Sequence, residues 1–166
     1  GMTLLSPGAF VPKMLEQCAA SGVALVLVPE IKGAPVSGAA KWLTPNKAMI
    51  CLSLRGKSND RFWFTFFHEA GHGLLHGKDD IFLEGTAGKP SRRKEEEANR
   101  FATEFLIPRE EAAMLPTIRT RAKVIEFAQR LGIAPGIVAG QLQHGGHVTP
   151  QLANYWKVKR RLDWRE

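Results

Sequence analysis

The chain has 166 residues, 44% of them hydrophobic and 23% charged, with a formal net charge of +7. That composition excludes a disordered chain, and the length suits one domain with a sizeable core. The positive balance admits nucleic acid or an acidic partner, but a solvated basic surface accounts for it more simply.

Residues 12–20 read as a short helix with Leu15, Cys18 and Ala19 on one side and Ser21-Gly22 as its stop. Residues 23–28 are an aliphatic run that predicts a buried strand ended by Pro29; the run is far too short to cross a bilayer. Residues 33–38 form a loop. Residues 39–43 and 48–54 then flank Thr44-Pro45-Asn46-Lys47, which is turn chemistry, so a β-hairpin is expected. The aromatic stretch that follows predicts a helix, capped by Ser58, Asn59 or Asp60 and ending near Gly77. Apolar side chains occupy nearly every side from Phe62 to Phe67, so this helix is expected to be buried all round.

Residues 79–91 read as a loop, with an exposed basic run at residues 89–94. Residues 95–106 predict a helix with Ala98, Phe101, Ala102 and Phe105 inward. Pro108 opens a short helical turn, and Thr120 caps a helix that Gly132 ends near Leu131. Pro135 opens another helix to about Gln143. Thr149-Pro150 starts the last, with Leu152, Tyr155, Trp156 and Leu162 apolar and Lys157, Lys159, Arg160 and Arg161 basic. A small sheet precedes a helical half, so the fold class is α+β: an N-terminal sheet packed on a buried central helix. Cys18 and Cys51 form no C-x-x-C pair, and no export signal is visible, so a reducing cytoplasm is the expected compartment. Gly1 before Met2 reads as an expression scar. Residues 1–166 are therefore expected to be a single domain of a protein that begins earlier.

The chemistry centres on His68-Glu69-Ala70-Gly71-His72. Two histidines four apart on a helix share a face, and neutral imidazoles so placed can bind one Zn²⁺. Glu69 between them can act as general base toward water. A catalytic site wants a third protein ligand. The H-E-x-x-H-x-x-G-x-x-H pattern is excluded, because Leu75 and Lys78 stand at its last two positions. His76 lies one turn further along the same helix and reads as a helix-end or outer residue. Glu95 shares the inward side of its helix with Ala98 and Ala102 and is the expected third ligand, with Glu96 the alternative and Glu97 expected to point elsewhere. Asn99 is one turn on and can hydrogen-bond a ligand imidazole.

Residues 67–76, then Glu95-Glu96-Glu97-Ala98-Asn99-Arg100-Phe101-Ala102, then Leu106-Ile107-Pro108 resemble the ImmA/IrrE family of zinc metallopeptidases. Residues 127–144 resemble the C-terminal part of a subgroup in which this domain follows a helix-turn-helix domain in antitoxin-like regulators. The resemblance runs from about Ala20 onward. It implies a gluzincin-like site: His68, His72 and Glu95 as Zn²⁺ ligands and Glu69 as the catalytic base. It also implies regulated cleavage of a repressor or antitoxin-like protein. DNA would be met only through an N-terminal domain outside this chain, and no membrane partner is expected. Gln141 departs from the subgroup, which has Arg there.

Three functions follow as expectations. A zinc endopeptidase also needs an oxyanion donor, for which Tyr155 and His144 are candidates. A non-catalytic regulatory module could use the same metal site as a sensor. A DNA-binding unit is suggested by residues 122–143, which scan as helix, turn, helix. The second of those helices offers Ile137, Val138, Ala139 and Gly140, which cannot read base edges, so the pair is expected to serve packing.

Overall fold

The computed structural model describes residues 1–29, 36–53, 58–76, 82–83 and 91–156. The fold is α+β. Helix α1 (Pro7–Ala20) is followed by β1 (Val23–Val28), β2 (Gly38–Thr44) and β3 (Lys47–Ser53). Helix α2 (Asn59–Leu75) carries both histidines, and β4 (Phe82–Leu83) follows it. The rest is helical: α3 (Arg92–Leu106), α4 (Arg109–Ala112), α5 (Arg121–Leu131), α6 (Pro135–His144) and α7 (Pro150–Trp156). Among the described residues no helix is long and apolar enough to cross a membrane.

The sheet is mixed, in the order β1-β3-β2-β4. β2 and β3 form the expected hairpin, closed at Thr44↔Lys47 across Pro45-Asn46. β1 runs parallel to β3 from Val23↔Ala48 to Val28↔Ser53, and β4 pairs antiparallel with β2 at Ala39↔Leu83 and Ala40↔Phe82. Helices α1 and α2 cover one face. That face supplies Leu25, Ala40, Ile50 and Leu52 to a core completed by Phe10, Met14, Phe62 and Trp63. The Phe10 ring lies 5.4 Å from Phe62 and 5.1 Å from Trp63. A second core gathers Ile107, Val124, Phe127, Val138, Leu142 and Trp156 in the C-terminal half.

The contact that matters most for the site is α2 against α3, the most extensive between helices. It is a seam of small residues. A Cβ added at Gly71 would lie 3.1 Å from Phe101 Cδ1 and 3.3 Å from Ala98 Cα. Ala98 and Ala102 are fully buried on the α3 side. Thr120 caps α5 by accepting from the Lys123 amide, and Gly132 ends it at φ 65°. Helix α6 buries Ile137, Val138, Ala139 and Leu142, so its apolar residues belong to the cores, as a packing pair requires.

Several elements differ from the sequence reading. Helix α1 begins at Pro7 and carries Pro12 inside it, and its buried line is Phe10, Met14 and Cys18, with Leu15 exposed. An internal proline costs about 3 kcal/mol, but starting earlier buries Phe10 and extends the apolar line by a turn, worth about 1.5–3 kcal/mol for that side chain alone. β1 is an edge strand, covered on one face only, with Val26 exposed on the other. Helix α2 is not buried all round: Phe64, Phe66 and Phe67 keep partial exposure and Leu74 and Leu75 are exposed. Within the segment read as a loop, residues 82–83 pair as a strand. Helix α3 starts at Arg92 because Ser91 accepts from the Lys94 amide, so Arg92 to Lys94 form its first turn. Its buried line is Ala98, Ala102 and Leu106; Phe105 falls beside that line and is 60% exposed, stacked on Phe67 at 4.2 Å. On α7, Ala153 and Trp156 are buried while Leu152 and Tyr155 are exposed. Leu162 and the basic residues 157–161 lie outside the described residues.

The seam makes a prediction. Gly71→Val should force α2 and α3 apart and cost about 1–3 kcal/mol by urea unfolding. Gly73→Ala, two positions on, places its Cβ where nothing lies within 4 Å. It should instead gain about 0.5–1 kcal/mol from helix propensity. Equal effects at the two glycines would contradict the close approach.

Candidate metal centre

Helix α2 sets His68 and His72 one turn apart, and their Nε2 atoms meet at 3.0 Å. Both rings are buried. From the first turn of α3, Glu95 reaches across the seam. One of its oxygens lies 3.5 Å from His68 Nε2 and the other 3.3 Å from His72 Nε2. The ligand atoms of His68, His72 and Glu95 all lie within 4.8 Å of one another. A tetrahedral ion with bonds of about 2.0–2.2 Å holds neighbouring ligand atoms about 3.3–3.5 Å apart. Two imidazoles and a carboxylate at this spacing therefore fit a divalent metal. Glu96, the alternative third residue, is exposed and turned to Arg92 at 2.8 Å.

The far side of each ring fixes which nitrogen offers its lone pair to the centre. His68 Nδ1 lies 2.9 Å from Asn99 Oδ1. The amide oxygen accepts, so the proton sits on Nδ1 and Nε2 is left bare. His72 is held by a longer chain. Its Nδ1 lies 3.0 Å from His76 Nδ1, and His76 Nε2 lies 3.2 Å from Glu97 Oε2. Arg93 Nε donates to the other Glu97 oxygen at 2.9 Å. The Glu97 carboxylate accepts from His76 Nε2–H, His76 Nδ1 accepts from His72 Nδ1–H, and the lone pair of His72 Nε2 faces Glu95. Glu97 does point away from the three central residues, as expected, but it ends on His76. His76 is the extended cap residue of α2 (φ −115°, ψ 167°), which swings its ring out of the helix line.

Charge follows the same pattern. The Arg93 hydrogen bond, then that of His76, holds the Glu97 carboxyl below its usual range. Burial, aided by the charges of His68, His76 and Lys94, pulls His72 down to about 3. Its imidazole is therefore neutral, as a metal ligand must be, across the physiological range.

Glu69 is only 1% exposed. It lies under the first residue of β2: a Cβ on Gly38 would come 2.6 Å from Glu69 Oε1. Gly38 ends the loop expected over residues 33–38, and its missing side chain is what admits this carboxylate beneath the sheet. Cys51, paired with Ala39 across the hairpin, has its thiol pushed up by burial and then by the Glu69 charge. Of the two oxyanion candidates, His144 is exposed at the end of α6, its ring 5.9 Å from Phe64, which in turn stacks 6.1 Å from His68. Tyr155 is 75% exposed on α7. Gln141 is buried within α6.

Over residues 26–160 the chain matches the model of a peptidase family described as the IrrE N-terminal-like domain. That span includes His68, Glu69, His72 and Glu95. No curated protein matches the chain.

Two predictions arise from this geometry. Glu97→Ala should weaken Zn²⁺ binding about 10–100-fold in a chelator competition, with little change in thermal midpoint, because it releases His76 and through it His72; an unchanged affinity would contradict the chain. The second concerns pH. His72 is lowered from 6.5 to about 3 in the folded state. Between those values the unfolded chain binds the extra proton, so the stability of metal-free protein should fall as pH drops from 6.5 toward 3. His72→Gln should flatten that part of the profile of unfolding free energy against pH.

Proposed function

The chain belongs to the IrrE N-terminal-like peptidase family, and from that premise we propose that it is a zinc-dependent endopeptidase that cuts a repressor or antitoxin-like regulator in the cytoplasm. The observation that carries the reading is the convergence of His68, His72 and Glu95 on one point, with Glu69 buried beside them. These three residues would hold the zinc. When bound, zinc supplies Lewis acidity that polarises a scissile carbonyl and lowers the pKa of water.

The chain's own residues do the rest. Glu69 takes a proton from the attacking water at a carboxylate oxygen and returns it to the leaving amine. Asn99 and the His76–Glu97 pair keep the two imidazoles oriented while charge develops. The sheet offers a place for substrate main chain. Among the described residues its outer strand on this side is β4, which pairs with β2 at Ala39 and Ala40, next to Gly38 and therefore to Glu69. An extended peptide can add to such an edge. DNA contact, on this reading, belongs to an N-terminal helix-turn-helix domain outside residues 1–166.

One observation favours a second reading, a non-catalytic zinc module that senses or stabilises: His68, Glu69 and His72 are nearly closed to solvent. Glu69→Gln separates the two. It keeps size and hydrogen bonding and removes the base. The endopeptidase reading expects stoichiometric zinc, an unchanged fold and no cleavage of the repressor partner, whereas His68→Ala and His72→Ala should lose zinc as well. Full biological activity in Glu69→Gln would exclude the endopeptidase and leave the module.

A further inference from the structure

Helix α2 has a second working face. Opposite the stripe of His68 and His72, the side chains of Trp63, Phe66, Phe67 and Ala70 turn toward α1 and the sheet. Between these three walls lies a cavity of about 630 Å³ that opens to solvent past Leu74 and Phe105. Protein cores leave few voids larger than a water molecule, whereas volumes of about 300–1,000 Å³ are those of small-molecule sites. Small residues on facing walls make the space: Ala40 and Ala48 on the sheet, Ala70 and Gly73 on α2. A Cβ at Gly73 would meet nothing within 4 Å.

The lining states what would fit. Its broad surfaces are aromatic, from Trp42, Phe66 and Phe67, with Trp63 at its base. Trp42 Nε1 donates to Gly73 O at 3.2 Å and ties β2 to α2 at the cavity. Thr3, Gln17 and Ser21 supply uncharged polar groups. Among the described residues Lys41 is the one charged residue of the lining, but it alternates with Ala40 and Trp42 on β2, which turns its side chain to the exposed face.

We propose that this cavity binds an uncharged small molecule, mostly hydrocarbon or aromatic, with a single polar group. A carboxylate would enter an apolar wall with no cation turned toward it among the described residues. The site stands independently of the metal reading, on the other face of the same helix.

The test uses the full chain and 2-nonanone, with nonanoate as its charged counterpart. Tryptophan fluorescence reads the site directly, because Trp42 and Trp63 line it. The ketone should bind saturably, with half-saturation below about 1 mM, and raise the thermal midpoint in proportion to the logarithm of its concentration. Nonanoate should bind at least tenfold more weakly. Gly73→Leu fills space that is already empty and improves helix propensity, so it should fold at least as well as the parent and lose ketone binding. Ala48→Leu should do the same from the sheet wall. No saturable signal in the parent protein would leave the cavity to the chain's own residues and overturn the proposal. Undiminished binding in both variants, or equal binding of ketone and carboxylate, would overturn it too.

Discussion

The close approach of α2 to α3 is the constraint on which the site depends. Glu95 must cross from one helix to the two imidazoles of the other, and a carboxylate side chain spans that gap only if the backbones nearly touch. Gly71 lies between His68 and His72 on α2, and Ala98 and Ala102 face that helix from α3. Each of these residues is small for the same reason. The aromatic packing of Phe10 on Phe62 and Trp63 then ties α2 to α1, on the side away from the seam.

The two imidazoles are alike toward the centre and unlike behind it. A neutral amide, Asn99, supports His68, whereas a histidine and an ionised carboxylate support His72. The carboxylate behind His76 fixes that ring's tautomer, and with it which nitrogen of His72 faces the centre. Both supports come from the stretch of α3 that also carries Glu95, so one helix supplies a ligand and the two residues that aim the others. Residues 93–99 therefore act as a unit.

Much of this was legible in the residues because the signals were periodic. Helix α2, the hairpin and the C-terminal helices follow from apolar spacing and from Pro, Thr and Gly at their ends. His68, His72 and Glu95 share faces by helical arithmetic, and Asn99 falls one turn from Glu95. What stayed hidden was tertiary. Glu97 meets His76 only because the cap residue of α2 leaves the helix line, which no spacing rule anticipates. Gly38 and Gly71 look like a loop end and a weak helix position until the partner that needs their space is seen. Pro12 read as a helix start because the local rule for proline is strong, and only the burial of Phe10 against Phe62 and Trp63 outweighs it. Phe105 lies beside the buried line of α3, where one residue of phase decides burial or exposure.

The central claim is that residues from two helices make one metal site. Equilibrium titration with Zn²⁺, read by chelator competition on the parent protein and on Glu95→Ala, tests it most directly. One ion should bind per chain in the parent, and loss of one of three ligands should weaken it by at least about 100-fold while leaving the helical signal intact. The same affinity in both proteins, or no stoichiometric zinc in the parent, would contradict it.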